Sequence, residues 1–210
     1  MRRRSIGKAL TRGPIELVGT ATATASGTSL SFGSGAVSGV QAGDFIMLAY
    51  TLEDDNTAVA PSGFTTLYNT ESLPGTVGFF HKVASDSDVS VTLSSIEAEG
   101  TAVMMVLRGA RIDGTSIAVN SSRNPPAITV PTDGCAVIVG HYEDDITLCT
   151  APTGYTTDFT VVTNEDGSFQ SGTAIGINLS SGSGWVDPGA FGAVANSDFI
   201  RSTSIPIGEA

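Results

Sequence analysis

Short runs of apolar or alternating residues, separated by polar and glycine-rich turns, follow one another along almost the whole chain. Residues 20–25 alternate threonine with alanine, the period of two expected of a strand with one buried face. Twenty-five glycines, abundant serine and threonine and few long helix formers favour short strands. The pattern predicts strands at residues 15–25, 29–32, 45–52, 64–69, 77–83, 89–93, 102–107, 127–130, 135–141, 155–162, 173–179, 191–195 and 199–207.

Three of these predicted strands are apolar at successive positions. They contain the runs FIMLAY from Phe45, VMMVL from Val103 and CAVIVG from Cys135. A strand with one face in water should alternate instead, so these runs indicate sheets that are covered on both faces. The covering is either long loops of the same chain or another subunit.

One pattern occurs twice. The acidic triplet Glu53-Asp54-Asp55 precedes a turn at Pro61-Ser62-Gly63, and Glu143-Asp144-Asp145 precedes a turn at Pro152-Thr153-Gly154. The two prolines are 91 residues apart, and each turn leads into an aromatic residue and two threonines. The chain therefore contains a duplication, with pseudo-repeats at about residues 27–110 and 127–207.

The duplication fits one domain better than two. Each half has too few predicted strands to close two sheets by itself, and the polar crossing at residues 108–126, with a strand-like piece at 116–119, is short for a linker. All-β sandwiches often exceed 200 residues as one unit. We predict an all-β fold, a jelly-roll-like antiparallel β-sandwich over residues 15–210, with an extended N-terminal arm at residues 1–14.

Charge is divided unevenly along the chain. The net charge is −11, but five of the ten cations lie before Gly13, and the first acid is Glu16. The acidic body, near −16, disfavours nucleic acid or an anionic membrane as its partner. No apolar segment follows the first arginines, so the sequence predicts no signal peptide and synthesis in a cytoplasm.

The basic arm predicts a docking segment that meets a neighbouring molecule. It has too few apolar residues to pack by itself. Two alternatives are that it folds back on its own body, or that it touches packaged nucleic acid through its first arginines. The residues expected to dock are Arg2, Arg3, Arg4, Ile6, Lys8, Leu10 and Arg12.

The order of these motifs resembles a family of jelly-roll-like sandwich modules found in tailed-bacteriophage virion proteins and in some bacterial surface proteins. The similarity covers roughly residues 27–207 and rests on the Pro-small-Gly-aromatic-Thr turns at Pro61 and Pro152. The strand ending Leu107-Arg108-Gly109-Ala110 and the lead-in Val130 to Gly134 add to it. The family usually has tryptophan in the turns, where this chain has Phe64 and Tyr155.

This resemblance implies a non-enzymatic structural protein of a virion, a capsid decoration (cement) or head-fibre protein. Its implied partners are other virion proteins, the major capsid protein or tail proteins, in a homo-oligomer or multi-copy assembly. A tail or baseplate component and a glycan-binding adhesin module are the alternatives. For the adhesin, the expected ligand-facing residues are Trp185, Tyr155 and Phe64.

Candidate chemistry is sparse. The two acidic triplets (Glu53, Asp54, Asp55 and Glu143, Asp144, Asp145) are weak calcium candidates, because consecutive carboxylates lack the spacing of a calcium loop. We expect them to be solvated loops, with no metal and no cofactor. His81 and His141 lie in apolar strands without a hydrolase or metalloenzyme motif. We expect Trp185 to be a loop residue that plugs one end of the sandwich.

Overall fold

A computed structural model of the chain describes residues 14–25, 28–52, 57–72, 75–87, 89–94, 100–113, 117–143, 147–166, 169–180, 182–195 and 198–210. All strand pairs among these residues are antiparallel, which confirms the predicted all-β sandwich. The strands are β1 (Glu16–Thr24), β2 (Ser29–Phe32), β3 (Phe45–Leu52), β4 (Thr65–Ser72), β5 (Gly75–Val83), β6 (Val91–Ser94), β7 (Gly100–Arg108), β8 (Ala110–Ile112), β9 (Ala118–Asn120), β10 (Ile128–Val130), β11 (Cys135–Glu143), β12 (Phe159–Asp166), β13 (Phe169–Asn178), β14 (Gly184–Val186) and β15 (Phe199–Glu209).

The strands form four layers. Two large sheets face each other, one in the order β1-β7-β3-β5-β4 and the other in the order β12-β13-β11-β15-β8, with β9 also paired to β15. The two-stranded sheet β2–β6 covers the outside of the first large sheet, and β10–β14 covers the outside of the second. The layer order is therefore small sheet, large sheet, large sheet, small sheet.

Each boundary between layers holds its own hydrophobic core. Between β2–β6 and the first large sheet, Leu30 and Leu93 pack with Leu48. A central core between the two large sheets contains Met105 and Val137. A third core lies under β10–β14. Because burial of one aliphatic side chain is worth about 1.5–3 kcal/mol, the central core ties the two halves strongly together.

The same layering explains the continuous apolar runs. All eight residues of β3 and all nine of β11 are buried, since alternate side chains enter two different cores. In β3, for example, Met47 faces the central core while Leu48 faces the outer one. The sequence left open whether loops or another subunit cover these sheets; the structure shows segments of the same chain in that place.

The two halves have the same connectivity. In each half the large sheet is built from the second, third, fourth and sixth strand, and the first and fifth strands make the small covering sheet. The proline turns match as well. The Phe64 N–H donates to the Pro61 carbonyl at 3.0 Å and the Tyr155 N–H to the Pro152 carbonyl at 3.1 Å. Each turn has a glycine with positive φ at its third position, which is a type II turn.

Some strand predictions were wrong. Residues 191–195 were predicted as a strand, but only Gly192 forms a bridge there, to Thr150, and Phe191 fills the third core from an irregular segment. The short strands β8 and β14 were missed. The Gly-Ser composition around Trp185 indicates a turn, and this segment becomes a strand only by pairing with β10. In β8 and β14, pairing with a distant strand has overridden the local propensity of the sequence.

Candidate functional site

The first strand fixes where the basic arm joins the body. Glu16 pairs with Arg108 at the last residue of β7, and Leu107 beside it pairs with Phe45 at the first residue of β3. We call this the arm end of the sandwich. The predicted docking residues all lie outside the described part of the chain; they are Arg2, Arg3, Arg4, Ile6, Lys8, Leu10 and Arg12.

The two acidic triplets follow strands that end at the opposite end of the sandwich. Thr51 Oγ1 near the end of β3 and His141 Nδ1 near the end of β11 are 3.0 Å apart, so the two strand ends lie together. An eight-residue strand is about 27 Å long, which separates this end from the arm end. Glu53, Asp54, Asp55, Asp144 and Asp145 lie outside the described residues.

Glu143, the one triplet residue that the structure describes, corrects the expectation of a solvated loop. It is the last residue of β11 and is 2% exposed. Its Oε2 lies 2.8 Å from the position that a Cβ of Gly75 would occupy, so the carboxylate fits only because residue 75 has no side chain. Within the described ranges, no group of three or more His, Cys, Asp or Glu side chains is arranged to hold a metal ion.

A layer of polar side chains is buried between the two large sheets near the acidic triplets. The Thr51 hydroxyl donates to the Gly172 carbonyl at 2.9 Å, and the Thr173 hydroxyl lies 2.8 Å from Thr51 Oγ1. His141 Nε2 lies 2.8 Å from the Tyr68 hydroxyl. These bonds join β3 and β4 of one sheet to β11 and β13 of the other. Buried polar groups that are satisfied in this way fix one relative position of the sheets.

The hydrogen bonds of His141 define its protonation. Because the Thr51 proton is given to Gly172, His141 Nδ1 carries a hydrogen and Nε2 accepts from Tyr68. Burial, with a further contribution from the nearby Arg201, lowers the pKa of His141 to about 3. The ring is fully buried and neutral, with both nitrogens engaged. Such a histidine positions the two sheets and has no access to a substrate.

Each half also contains a tyrosine packed on a glycine of the neighbouring strand. Tyr50 lies over Gly78, where a Cβ would stand 2.1 Å from the ring, and Tyr142 lies over Gly172, where it would stand 2.2 Å away. The Tyr50 hydroxyl accepts the N–H of Ala58 at 3.2 Å, and Tyr142 makes the matching bond after its own acidic triplet, at 3.3 Å. These tyrosines anchor the chain beyond each triplet. The sequence signal was a tyrosine shortly before each triplet, which our sequence interpretation did not use.

The three aromatic candidates do not form one surface. Tyr155 is 1% exposed and belongs to the third core, so its ring is not available to a ligand. Phe64 is half-buried against the first core, with Lys82 Nζ 4.7 Å above its ring. Trp185 lies in β14 opposite Thr129 and is 75% exposed. The expectation of a loop residue that plugs one end was therefore wrong.

The duplication provides an internal comparison for Trp185. The position that corresponds to it in the first half is Thr92, the second residue of β6, which pairs with Ser31 of β2. Their hydroxyls are 3.0 Å apart at the surface. The covering sheet therefore folds without a large aromatic residue at this position, and packing gives no reason for the tryptophan.

The arm end contains two neighbouring cavities. One, of about 280 Å³, is lined in part by Pro14, Ile15 and Asp133 and by Glu209, and the second is about 210 Å³. Leu179 and Ser180 line both. We call the two cavities together the arm-end groove. The chain enters the body through the wall of this groove.

The two cysteines are separate buried thiols. Cys135 belongs to the central core and Cys149 to the third core. Both are free, and burial raises the pKa of each to about 12. Neither is available as a nucleophile or metal ligand at neutral pH.

Searches with family models, against curated proteins and against solved structures find no match to this chain. The resemblance to phage sandwich modules therefore stays a prediction. In the described residues, no helix is both long and apolar enough to span a membrane.

Proposed function

We propose that this chain is a non-enzymatic structural protein of a tailed-phage particle, a capsid decoration or head-fibre protein docked through its N-terminal arm. The observation that carries the proposal is the separation of charge. Five of the ten cations precede Gly13, and this arm joins an acidic, closed β-body at one end. Multi-copy assembly on a virion uses such an arm to reach other virion proteins while the body projects away.

The interior of the body supports a mechanical role. Thr51, Tyr68, His141 and Thr173 are buried between the large sheets and bond to one another or to the backbone. Three stacked cores and this polar layer make a stiff spacer. The proposal assigns binding to the arm and stiffness to the body.

Docking through the arm needs several contacts acting together. A single exposed ion pair contributes about 0–1 kcal/mol, so five cations alone give weak and salt-sensitive binding. Burial of Ile6 and Leu10 against the partner would add hydrophobic stabilisation of about 1.5–3 kcal/mol for each side chain. Salt should therefore weaken incorporation without abolishing it.

Deletion of residues 2–13 tests the proposal. We expect the truncated protein to keep its thermal stability, since the body is complete from β1 onward, and to be lost from purified particles. A full-length variant with Arg2, Arg3 and Arg4 changed to glutamine keeps the length of the arm but removes three of its charges. It should show reduced incorporation into particles. Mass spectrometry gives copy number per portal, and immunogold labelling separates head from tail or baseplate. Full occupancy of the truncated protein would refute docking by the arm.

A glycan-binding adhesin is the second candidate, and the exposure of Trp185 favours it. An exposed indole can stack on a sugar ring, and the corresponding Thr92 shows that the scaffold does not need it. Trp185→Thr places the residue of the first half at this position. If the adhesin proposal is right, this variant loses binding on a glycan array while its melting temperature stays unchanged. Equal binding by both proteins, or none, would dismiss it.

A further inference from the structure

The arm-end groove has an acidic and apolar lining. Its larger cavity is bordered by the carboxylates of Asp133 and Glu209, with no lysine or arginine among the described lining residues. Asp158 adds a third acid in the neighbouring cavity. Between them lies Leu179, which is 39% exposed although it is a large apolar residue. The groove therefore offers an apolar contact flanked by negative charges.

The backbone at Asp133 adds a separate observation. Asp133 has φ of 61°, a left-handed conformation that costs energy for a residue with a Cβ. The equivalent turn of the first half has Gly43 at this position, with φ of 95°. In both turns the residue that follows donates its N–H to the carbonyl three residues earlier, from Asp44 to Gln41 and from Gly134 to Pro131. Glycine would therefore fit this position, and the turn does not require Asp133. The Asp133 carboxylate lies at the rim of the groove.

The chain contains a segment of complementary pattern. In Lys8-Ala9-Leu10-Thr11-Arg12 an apolar residue stands between two cations, which matches Leu179, after β13, between Asp158, before β12, and Asp133, before β11. A cavity of about 280 Å³ has room for the leucine side chain and the stems of its neighbours. Thirteen residues in extended form span about 43 Å, so the arm can reach the same groove on an adjoining molecule.

We propose that the arm-end groove binds residues 8–12 of a second copy of this chain, with the arms of two copies exchanged reciprocally. Pro14 and Ile15 form part of the groove wall, so an arm returning to its own groove would have to reverse direction within Thr11 to Gly13. Exit and groove lie side by side, so a two-fold axis lets each arm enter the other copy. The proposal rests on the docking arm of the proposed function and names the partner that this arm meets.

Sedimentation equilibrium of the purified full-length chain tests the exchange. We expect a dimer whose affinity falls by about tenfold or more with Asp133→Asn and Glu209→Gln combined, because paired charges are lost in both grooves. Asparagine tolerates the left-handed backbone, so the turn is kept. Glu71→Gln and Glu165→Gln combined, an equal charge change on β4 and β12 at the opposite end, should leave the dimer unchanged. A monomer, or a dimer that is insensitive to the groove substitutions, overturns the proposal.

Disulfide trapping separates exchange from folding back. A chain with Leu10→Cys is mixed with a chain carrying Ser180→Cys, since Ser180 lines both cavities. Exchange predicts a disulfide between the two different chains. A chain with both substitutions that forms only an internal disulfide overturns it. A monomeric chain that still enters particles in an arm-dependent manner would refute the exchange and leave the proposed function standing. A swapped dimer that is absent from particles would support the exchange and refute the proposed function.

Discussion

His141 makes the stability of the body depend on pH in a way that one substitution can isolate. The ring is fully buried between the large sheets, with the Tyr68 hydroxyl on one nitrogen and the Thr51 hydroxyl at the other. Burial lowers its pKa from 6.5 to about 3. The folded state therefore binds a proton at His141 more weakly than the unfolded state does. Its contribution to stability is fully present above pH 6.5 and is lost as the pH falls from there toward 3.

The size of this effect follows from proton linkage. One pH unit between the two pKa values changes the free energy of unfolding by up to about 1.4 kcal/mol. Between about pH 7.5 and about pH 4.5, protonation of the unfolded state alone removes about 2.7 kcal/mol. The folded pKa hardly affects that figure as long as it stays below about 4. Burial also lowers the pKa of His81, so the wild-type curve alone does not isolate His141.

The matched variant is His141→Gln, which keeps a donor and an acceptor in the same place but does not titrate. Urea unfolding of both proteins at several pH values gives the difference in free energy of unfolding, from which the other groups cancel. We expect the advantage of the wild type at neutral pH to shrink by about 2.7 kcal/mol by about pH 4.5. A difference that stays constant with pH would show that the folded protein protonates His141 freely, and would refute the account of a sealed, neutral ring.

Three further outcomes follow from the packing. Gly172→Ala should destabilise the protein by about 2–3 kcal/mol in urea unfolding, because the new Cβ would stand 2.2 Å from a buried tyrosine ring. Gly33→Ala, which meets no atom within 4 Å, is its control, and equal losses would contradict the packing argument. Trp185→Thr should change stability by less than about 0.5 kcal/mol, and a larger loss would reveal a packing role. Cys135 and Cys149 should react with a thiol reagent at neutral pH only after unfolding; fast reaction of the native protein would contradict their burial.

Much of the fold was predictable because the strands carry strong local signals. The run from Phe45 to Leu52 was predicted with the bounds that the structure shows, since a strand buried on both faces is apolar throughout. The duplication was visible because both turns need a glycine at the same place, Gly63 and Gly154, and each follows a proline. What covers the outer faces was not predictable, because β14 owes its existence to pairing with a distant strand.

The candidate sites were harder to predict, because side-chain exposure depends on contacts far along the chain. Glu143 looked like part of a solvated triplet, yet it is buried over a glycine 68 residues earlier in the sequence. Tyr155 and Trp185 were both candidate ligand-facing aromatics, and Trp185 was expected to plug one end; instead Tyr155 fills a core and Trp185 stands in solvent. No periodicity carries this information, since contacts between segments far apart in the sequence decide it.

The central core has a consequence for how the chain can be divided into fragments. Across the central core β7 packs on β13, and β3 packs on both β13 and β11. The equivalent strands of the two halves are therefore arranged across the two sheets in opposite orders. Two copies related by a two-fold axis would have the same arrangement. The inner face of either half is thus shaped to fit its own duplicate. Two separately expressed fragments, divided between the halves, should therefore reassemble, and each fragment alone should pair with itself. The single chain thus has the architecture of a fused dimer.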